Sequence, residues 1–216
     1  MRNFITYEWF TIFTILGLTV IAVAKFVNTM RFNDFIAVIG NSKYLKIYSK
    51  GQKFIDIFDS FLFANLVISL SIFSFFAYSA YNTPLTFELS LFLKIIFTIA
   101  TVLLIKTLLE RLLGSLFEID AVMDAYLFQK TTFKNYSGII FLCSNLFLLY
   151  TEINTNVIIV TTFVIVCIVH LIGFATSFKN HQNIISINYF YFLLYLCALE
   201  IGPYVLLYKV FSEYNT

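Results

Sequence analysis

Long apolar stretches separated by short polar connections dominate the amino-acid sequence. A helix needs about 20 residues to cross the ~30 Å hydrocarbon core of a bilayer, and six stretches approach that length. They are residues 5–24, 55–78, 86–109, 136–150, 157–178 and 185–210, of which the fourth is the shortest. The pattern predicts an all-α, polytopic integral membrane helical bundle of about six transmembrane helices, folded as a single domain over residues 1–216.

The composition agrees with this fold class and excludes others. Apolar residues make up 60% of the chain, aromatic residues 19% and charged residues 12%, and the mean hydropathy is +0.88. A water-soluble fold of this size has too much surface for its volume to bury so many apolar side chains. The composition therefore excludes a soluble globular enzyme and a disordered chain. Cys143, Cys167 and Cys197 lie within apolar stretches and are interpreted as small core residues rather than a disulfide or metal set.

Basic residues are unevenly distributed among the connections. Six lie between residues 25 and 53, none around residues 82–84, four between residues 106 and 134, and none between residues 151 and 156, while Lys179 follows the fifth stretch. Because basic connections stay in the cytoplasm, we expect both termini to lie outside the cell and the basic connections inside. The same rule argues against a cleaved signal peptide at residues 5–24, since a signal peptide requires the opposite orientation.

The first basic connection carries a helical pattern of its own. One apolar helical stripe is formed by Phe32, Phe35, Ile36 and Ile39. Residues 40–42 can end that helix and begin another, and residues 43–50 then alternate apolar side chains with lysines. The pattern predicts an amphipathic cytoplasmic segment that lies on the inner leaflet, with its lysines toward anionic headgroups. A solvated loop is the alternative.

Two ionisable residues lie at membrane depth in the predicted spans. Lys94 lies about 12 Å below the outer end of the third span, and Glu200 lies about 8 Å below the outer face in the sixth. If these spans touch, the two residues can form an ion pair, either as a helix-packing pair or as part of a proton or ion relay. Pro203 removes a helical donor near Glu200, as in kinked helices and in the ion sites of transporters.

The third span continues into a charged tail. Helical periodicity extends from residue 102 to residue 126, and Lys106 and Glu110 are four residues apart on one helix face, next to Arg111. An interfacial cluster of charges is expected here. A continuous helix from residue 86 to residue 130 would be about 68 Å long, so we expect a bend near residues 114–115. His170, in the fifth span, is interpreted as a helix-packing group.

Motifs of soluble enzymes are absent from the sequence. It contains no glycine-rich phosphate loop, no nucleophile elbow and no HExxH zinc motif. We therefore predict no catalytic residue, no cofactor, no metal site and no nucleic-acid partner. A membrane-embedded lipid enzyme that uses Glu118, Asp120 and Asp124 is the least favoured hypothesis, because their spacing matches no metal motif.

Two stretches match the pattern of a known family. Residues 106–117 follow K-x-x-x-x-R-L-x-G-x-L-F, and residues 191–209 contain E-I-x-P followed by L-Y-K. By these motifs the chain resembles an uncharacterised family of small multi-span Bacteroidota inner-membrane proteins, over most of its length from about the second span. The resemblance implies a multi-span fold without an established activity, in a bacterial inner membrane and therefore with both termini periplasmic. The positions it singles out are Arg111, Gly114, Glu200 and Pro203.

Two functions fit these features. The lack of a catalytic constellation, the short outer connections and the abundant aromatic residues favour a non-enzymatic integral inner-membrane subunit of a larger membrane protein complex. Protein export, secretion or envelope assembly is the expected class of process. The expected partners are the lipid bilayer and other membrane protein subunits. The alternative is a small proton- or ion-coupled transporter that uses intramembrane Glu200 and Lys94.

Overall fold

Helices account for nearly all of the described structure. The computed structural model describes residues 4–41, 43–49, 56–81, 87–116 and 120–187. In chain order its helices are α1 (Phe4–Val27), α2 (Thr29–Ile36), a short 3-10 helix (Ala37–Ile39), α3 (Lys43–Tyr48), α4 (Ile57–Tyr81), α5 (Leu89–Leu116), α6 (Asp120–Tyr150) and α7 (Thr155–Ile187). The described residues contain no strand, so the all-helical fold class is confirmed.

Four helices are long and apolar enough to cross a membrane. By length and composition these segments are Glu8–Val27 in α1, Ile57–Tyr81 in α4, Leu89–Leu116 in α5 and Thr155–Thr176 in α7. The described residues therefore contain four candidate spans, where the whole sequence predicted about six. Of the predicted sixth span, all but its first turn lies outside the described residues, and the predicted fourth span is the second half of α6.

Helix α6 lies at the centre of the bundle, where it packs against α1, α4, α5 and α7. Its sequence is more polar than those of the four candidate spans because it carries buried hydrogen-bonding residues. Thr162 of α7 donates to the Ser144 hydroxyl at 2.7 Å, and Asn145 Nδ2 donates to the carbonyl of Ser69 in α4 at 2.8 Å. A helix surrounded by other helices tolerates such residues, since its neighbours supply partners.

Glycines bring the central helix close to its neighbours at two crossings. A Cβ added at Gly138 of α6 would lie 2.8 Å from the Cα of Leu66 in α4. A Cβ added at Gly173 of α7 would lie 2.7 Å from the ring of Phe133 in α6. Both distances are shorter than van der Waals contact, so each crossing depends on a residue without a side chain.

The first basic connection folds against one end of the bundle. Phe35 of α2 and Tyr44 of α3 are fully buried in one apolar cluster with Phe58 of α4 and Phe128 of α6. Two members of the predicted apolar stripe, Phe32 and Phe35, are buried in the bundle, and the other two, Ile36 and Ile39, are exposed. Helix α2 ends at Ile36 and the 3-10 helix that follows has about 3.0 residues per turn. The next buried position is therefore Val38, three residues after Phe35.

Three other features differ from the sequence-based expectations. Helix α5 ends at Leu116, just after the expected bend, and the chain reverses into α6 rather than continuing as one long bent helix. Helix α7 continues through Asn180, where a connection was expected. Cys143 and Cys167 are exposed on the helix surfaces rather than buried in the core, and Cys197 lies outside the described residues.

Aromatic side chains pack together at the opposite end of the bundle. Phe10 of α1 lies 5.1 Å from Phe75, 4.8 Å from Phe87 and 5.4 Å from Phe92, measured between ring centroids. Tilted and edge-on arrangements at these distances are favourable for aromatic rings. This cluster joins α1, α4 and the start of α5, so part of the high phenylalanine content serves packing within the chain.

Candidate functional site at the charged end of the bundle

Several charged side chains meet at the end of the bundle that α2 and α3 cover. The end of α1, the start of α4, the end of α5 and the start of α6 lie at this end. We call it the charged end and define it by the ion-paired residues Arg31, Asp56, Asp59, Glu110 and Lys130. It lies on the side of the bundle to which the two most basic connections of the sequence belong.

Arg31 joins the connection to the start of α4. Its guanidinium donates to the carboxylates of Asp56 and Asp59, the latter at 2.9 Å, and only 9% of its side chain is exposed. The guanidinium carbon also lies 4.7 Å from the centroid of the Phe58 ring and 5.1 Å from that of Tyr48. Two carboxylates and flanking aromatic faces are the partners that a planar guanidinium binds best.

Tyr44 completes the surroundings of Arg31. Arg31 Nε donates to the Tyr44 hydroxyl oxygen at 3.4 Å. Burial raises the pKa of the Tyr44 phenol above its ordinary value, and the carboxylate of Asp59 raises it further. Burial by itself lowers the pKa of Arg31, but its hydrogen bond to Asp56 and the charge of Asp59 outweigh that effect and raise the pKa. Arg31 is therefore charged and Tyr44 neutral at every physiological pH.

A second ion pair joins α5 to α6. Lys130 Nζ lies 2.6 Å from Glu110 Oε1, and the exposed fraction is 1% for the Glu110 side chain and 15% for that of Lys130. The sequence placed Lys106 on the same helix face as Glu110, but the carboxylate of Glu110 binds a lysine twenty residues later. Since 20 residues of straight helix span about 30 Å, this contact exists only because the chain reverses between α5 and α6.

The other charged side chains near this pair are more exposed. Arg111 Nη2 lies 3.7 Å from Asp124 Oδ1, and both side chains are about half exposed. An exposed pair at this distance contributes little to stability. Lys106 is half-buried, and Gly114, which the family pattern singled out, is buried.

The charged end has the chemistry of a structural junction. Arg31 fixes α2 and α3 to the start of α4, and the Glu110–Lys130 pair fixes the end of α5 to the start of α6. Among the residues that the structure describes, no group of three or more His, Cys, Asp or Glu side chains is placed to hold a metal ion.

Lys94 is separate from the charged end. It lies on the exposed side of α5, five residues after the helix begins, and no carboxylate in the described part of the chain forms an ion pair with it. Its predicted partner Glu200 lies outside the described residues, as does Pro203. His170 is on the exposed side of α7, where its Nε2 lies 3.3 Å from the Ser137 hydroxyl.

The structure identifies a polar group inside the bundle that the sequence analysis missed. Asn65 of α4 and both Asn135 and Asn145 of α6 are almost completely buried. Ser69 links two of them, because its hydroxyl donates to Asn65 Oδ1 at 3.2 Å and its carbonyl accepts from Asn145. Single asparagines within apolar stretches were the available signal, but no periodicity showed that they face one another.

The chain forms a bundle of apolar helices that are long enough to cross a membrane. Ion pairs join helices at one end of the bundle, and the side-chain amides of buried asparagines lie inside it. The chain belongs to the family described as "Domain of unknown function (DUF4271)", whose sequence profile matches residues 10–211. This match confirms the resemblance to a family of unknown function. No curated protein and no solved structure matches the chain.

Proposed function

We propose that the protein is a non-enzymatic subunit of a larger membrane protein complex in the bacterial inner membrane. The charged end would face the cytoplasm and both termini the periplasm, as the distribution of basic residues predicts. Protein export, secretion or envelope assembly is the class of process that we propose for this complex. The observation that carries the proposal is the position of Lys94 on the exposed side of α5.

Helix α5 contributes little to the core of the bundle. In the part of the chain that the structure describes, few residues of its apolar stretch are buried, and large apolar side chains such as Phe97, Leu104 and Leu112 are exposed. Lipid chains can cover these side chains, but they cannot solvate an ammonium group. A neighbouring transmembrane helix with a carboxylate at the same depth would solvate Lys94, and it would cover the apolar face of α5 at the same time.

The competing explanation for Lys94 is that its side chain reaches the lipid headgroups. Lys94 lies about 8 Å from the first residue of α5 along the helix axis, which is within reach of a lysine that extends to the interface. In that case removing the charge would change no protein contact. A pair with Glu200 of the same chain, which lies outside the described residues, is a third explanation, and only a partner subunit makes Lys94 necessary for assembly.

We predict that Lys94→Leu releases the chain from its complex without unfolding it. A tagged chain expressed at its native level is extracted in mild detergent, and the proteins that co-purify in stoichiometric amounts are quantified. We expect recovery of the partners to fall at least about tenfold, the effect of losing about 1.4 kcal/mol of binding. Lys46→Leu, at an exposed lysine of α3, is the control and should retain the partners.

Two results would contradict the proposal. The first is a monodisperse monomer without any stoichiometric partner from the wild-type chain. The second is full recovery of the partners with Lys94→Leu. The thermal unfolding midpoint of each purified variant separates loss of binding from loss of folding.

A proton- or ion-coupled transporter is the second candidate, and the buried asparagines favour it. Polar side chains inside a membrane bundle often mark a path for ions or protons. This candidate would use Glu200 and Lys94 as intramembrane charges. It requires the purified chain alone to carry ions across the membrane of a proteoliposome, with flux lost in Glu200→Gln and retained in Glu152→Gln.

A further inference from the structure

We propose that α4 and α6 bind ordered water molecules at their three buried asparagines. We call this row of residues the asparagine seam and define it as Asn65, Ser69, Asn135 and Asn145. The inference does not depend on the proposed function, because it concerns the interior of the bundle rather than its outer surface.

The seam contains polar atoms whose partners the protein does not supply. Asn65, Asn135 and Asn145 are each at most 1% exposed. Within the described part of the chain, Asn65 Nδ2, Asn145 Oδ1 and both side-chain polar atoms of Asn135 have no hydrogen-bond partner. A buried amide atom that is left without a partner is strongly destabilising, and native proteins almost always satisfy such groups. Four such atoms on two helices that pack against each other therefore indicate a bound polar ligand.

The chemistry of these four atoms identifies the ligand as water. Two of them, the amide nitrogens, are donors, and the other two, the amide oxygens, are acceptors. A metal cation would satisfy only the oxygens, and an anion would satisfy only the nitrogens. Water donates and accepts, and buried water typically makes about three hydrogen bonds to such groups.

Glycines of two neighbouring helices lie beside the amide of Asn65. A Cβ at Gly17 of α1 would lie 3.2 Å from Asn65 Oδ1, and a Cβ at Gly138 of α6 would lie 3.2 Å from Asn65 Nδ2. Two neighbouring helices thus present glycine to the same amide. Neither glycine covers the amide with a side chain of its own.

The seam begins near the charged end and extends into the bundle. Along α6, Asn135 lies about 8 Å beyond Lys130, and Asn145 lies about 15 Å beyond Asn135. On the α4 side, Ser69 bridges Asn65 and Asn145 through its hydroxyl and its carbonyl. Water bound at these residues would place polar groups over about 23 Å of α6, from Lys130 to Asn145.

Hydroxyl-radical labelling tests this inference on the wild-type protein. Radiolysis of water bound inside a protein oxidises the side chains next to it, so buried residues along the seam should be labelled. Leu142 and Leu66 are buried beside Gly17 and Gly138, and Leu45 and Leu127 are similarly buried controls elsewhere in the bundle. With the chain in lipid nanodiscs, we expect labelling of Leu142 and Leu66 at least about tenfold above the controls, since their environment is hydrated.

A substitution in the asparagine seam tests whether the labelling of Leu142 depends on the seam itself. Asn145→Leu removes one unpartnered acceptor and should reduce the labelling of Leu142 at least about fivefold, whereas Asn156→Leu, at an exposed position of α7, should not change it. Equal labelling of the seam and control leucines in the wild-type protein would overturn the inference, whether or not the variant folds. Unchanged labelling of Leu142 in a folded Asn145→Leu protein would also overturn it.

Discussion

Replacing Lys130 with methionine should lower the free energy of unfolding by about 3–5 kcal/mol, the usual effect of removing one partner of a buried ion pair. Lys130 is the ion-pair partner of Glu110, whose side chain is 1% exposed. Methionine retains most of the length and apolar volume of lysine, so the loss measures the ion pair rather than a cavity. The free energy is measured by reversible unfolding in bicelles or mild detergent.

Two further variants show whether this loss arises from the uncompensated charge. The double variant Glu110→Leu with Lys130→Met removes both charges and should recover most of the stability, because apolar residues often replace a buried ion pair without loss. Lys43→Gln breaks the exposed pair with Asp34 and should change the free energy by less than about 1 kcal/mol. Equal effects of Lys130→Met and Lys43→Gln would contradict a buried pair.

Replacing Gly138 with alanine should destabilise the bundle by about 1–3 kcal/mol, the usual effect of overpacking a close contact. The added Cβ would lie 2.8 Å from the Cα of Leu66. A backbone atom cannot rotate away as a side chain can, so α4 and α6 must separate. This effect outweighs the roughly 1 kcal/mol that alanine gains over glycine in a helix interior.

Two comparisons test the cause of this loss. Gly40→Ala should change stability by no more than about 0.5 kcal/mol, since the nearest heavy atom to its added Cβ is 4.0 Å away. Leu66→Ala should not rescue Gly138→Ala, because the closest contact is with the backbone of residue 66 rather than with its side chain. Rescue by Leu66→Ala, or a stabilised Gly138→Ala protein, would show that the helices do not cross so closely.

The sequence predicted the apolar helices well because each is a long run without strong interruption. The predicted first span, residues 5–24, corresponds to α1 (Phe4–Val27), and the predicted second, residues 55–78, corresponds to α4 (Ile57–Tyr81). The predicted fourth span, residues 136–150, was too short. Its helix begins at Asp120 and is polar where it contacts other helices, so hydropathy detects only its more apolar half.

Contacts between helices were much less predictable than the helices themselves. Spacing along one helix suggested that Glu110 and Lys106 share a face, but Lys130 reaches Glu110 from the next helix. Arg31 was counted only as a loop charge, although its two aspartate partners lie 25 and 28 residues later in the chain. Such pairings depend on how helices rotate and cross, which a single sequence does not encode in its local periodicity.

The central claim is that the chain spans a membrane with its charged end in the cytoplasm. It is tested most directly by labelling single cysteines with a membrane-impermeant maleimide, after Cys143, Cys167 and Cys197 are replaced by serine. Lys46→Cys lies in α3, and Glu152→Cys lies in the connection between α6 and α7; both positions are exposed. In intact spheroplasts we expect Glu152→Cys to be labelled and Lys46→Cys to be labelled only after the membrane is permeabilised. Labelling of Lys46→Cys in intact spheroplasts, or recovery of the chain in the soluble fraction without detergent, would contradict the claim.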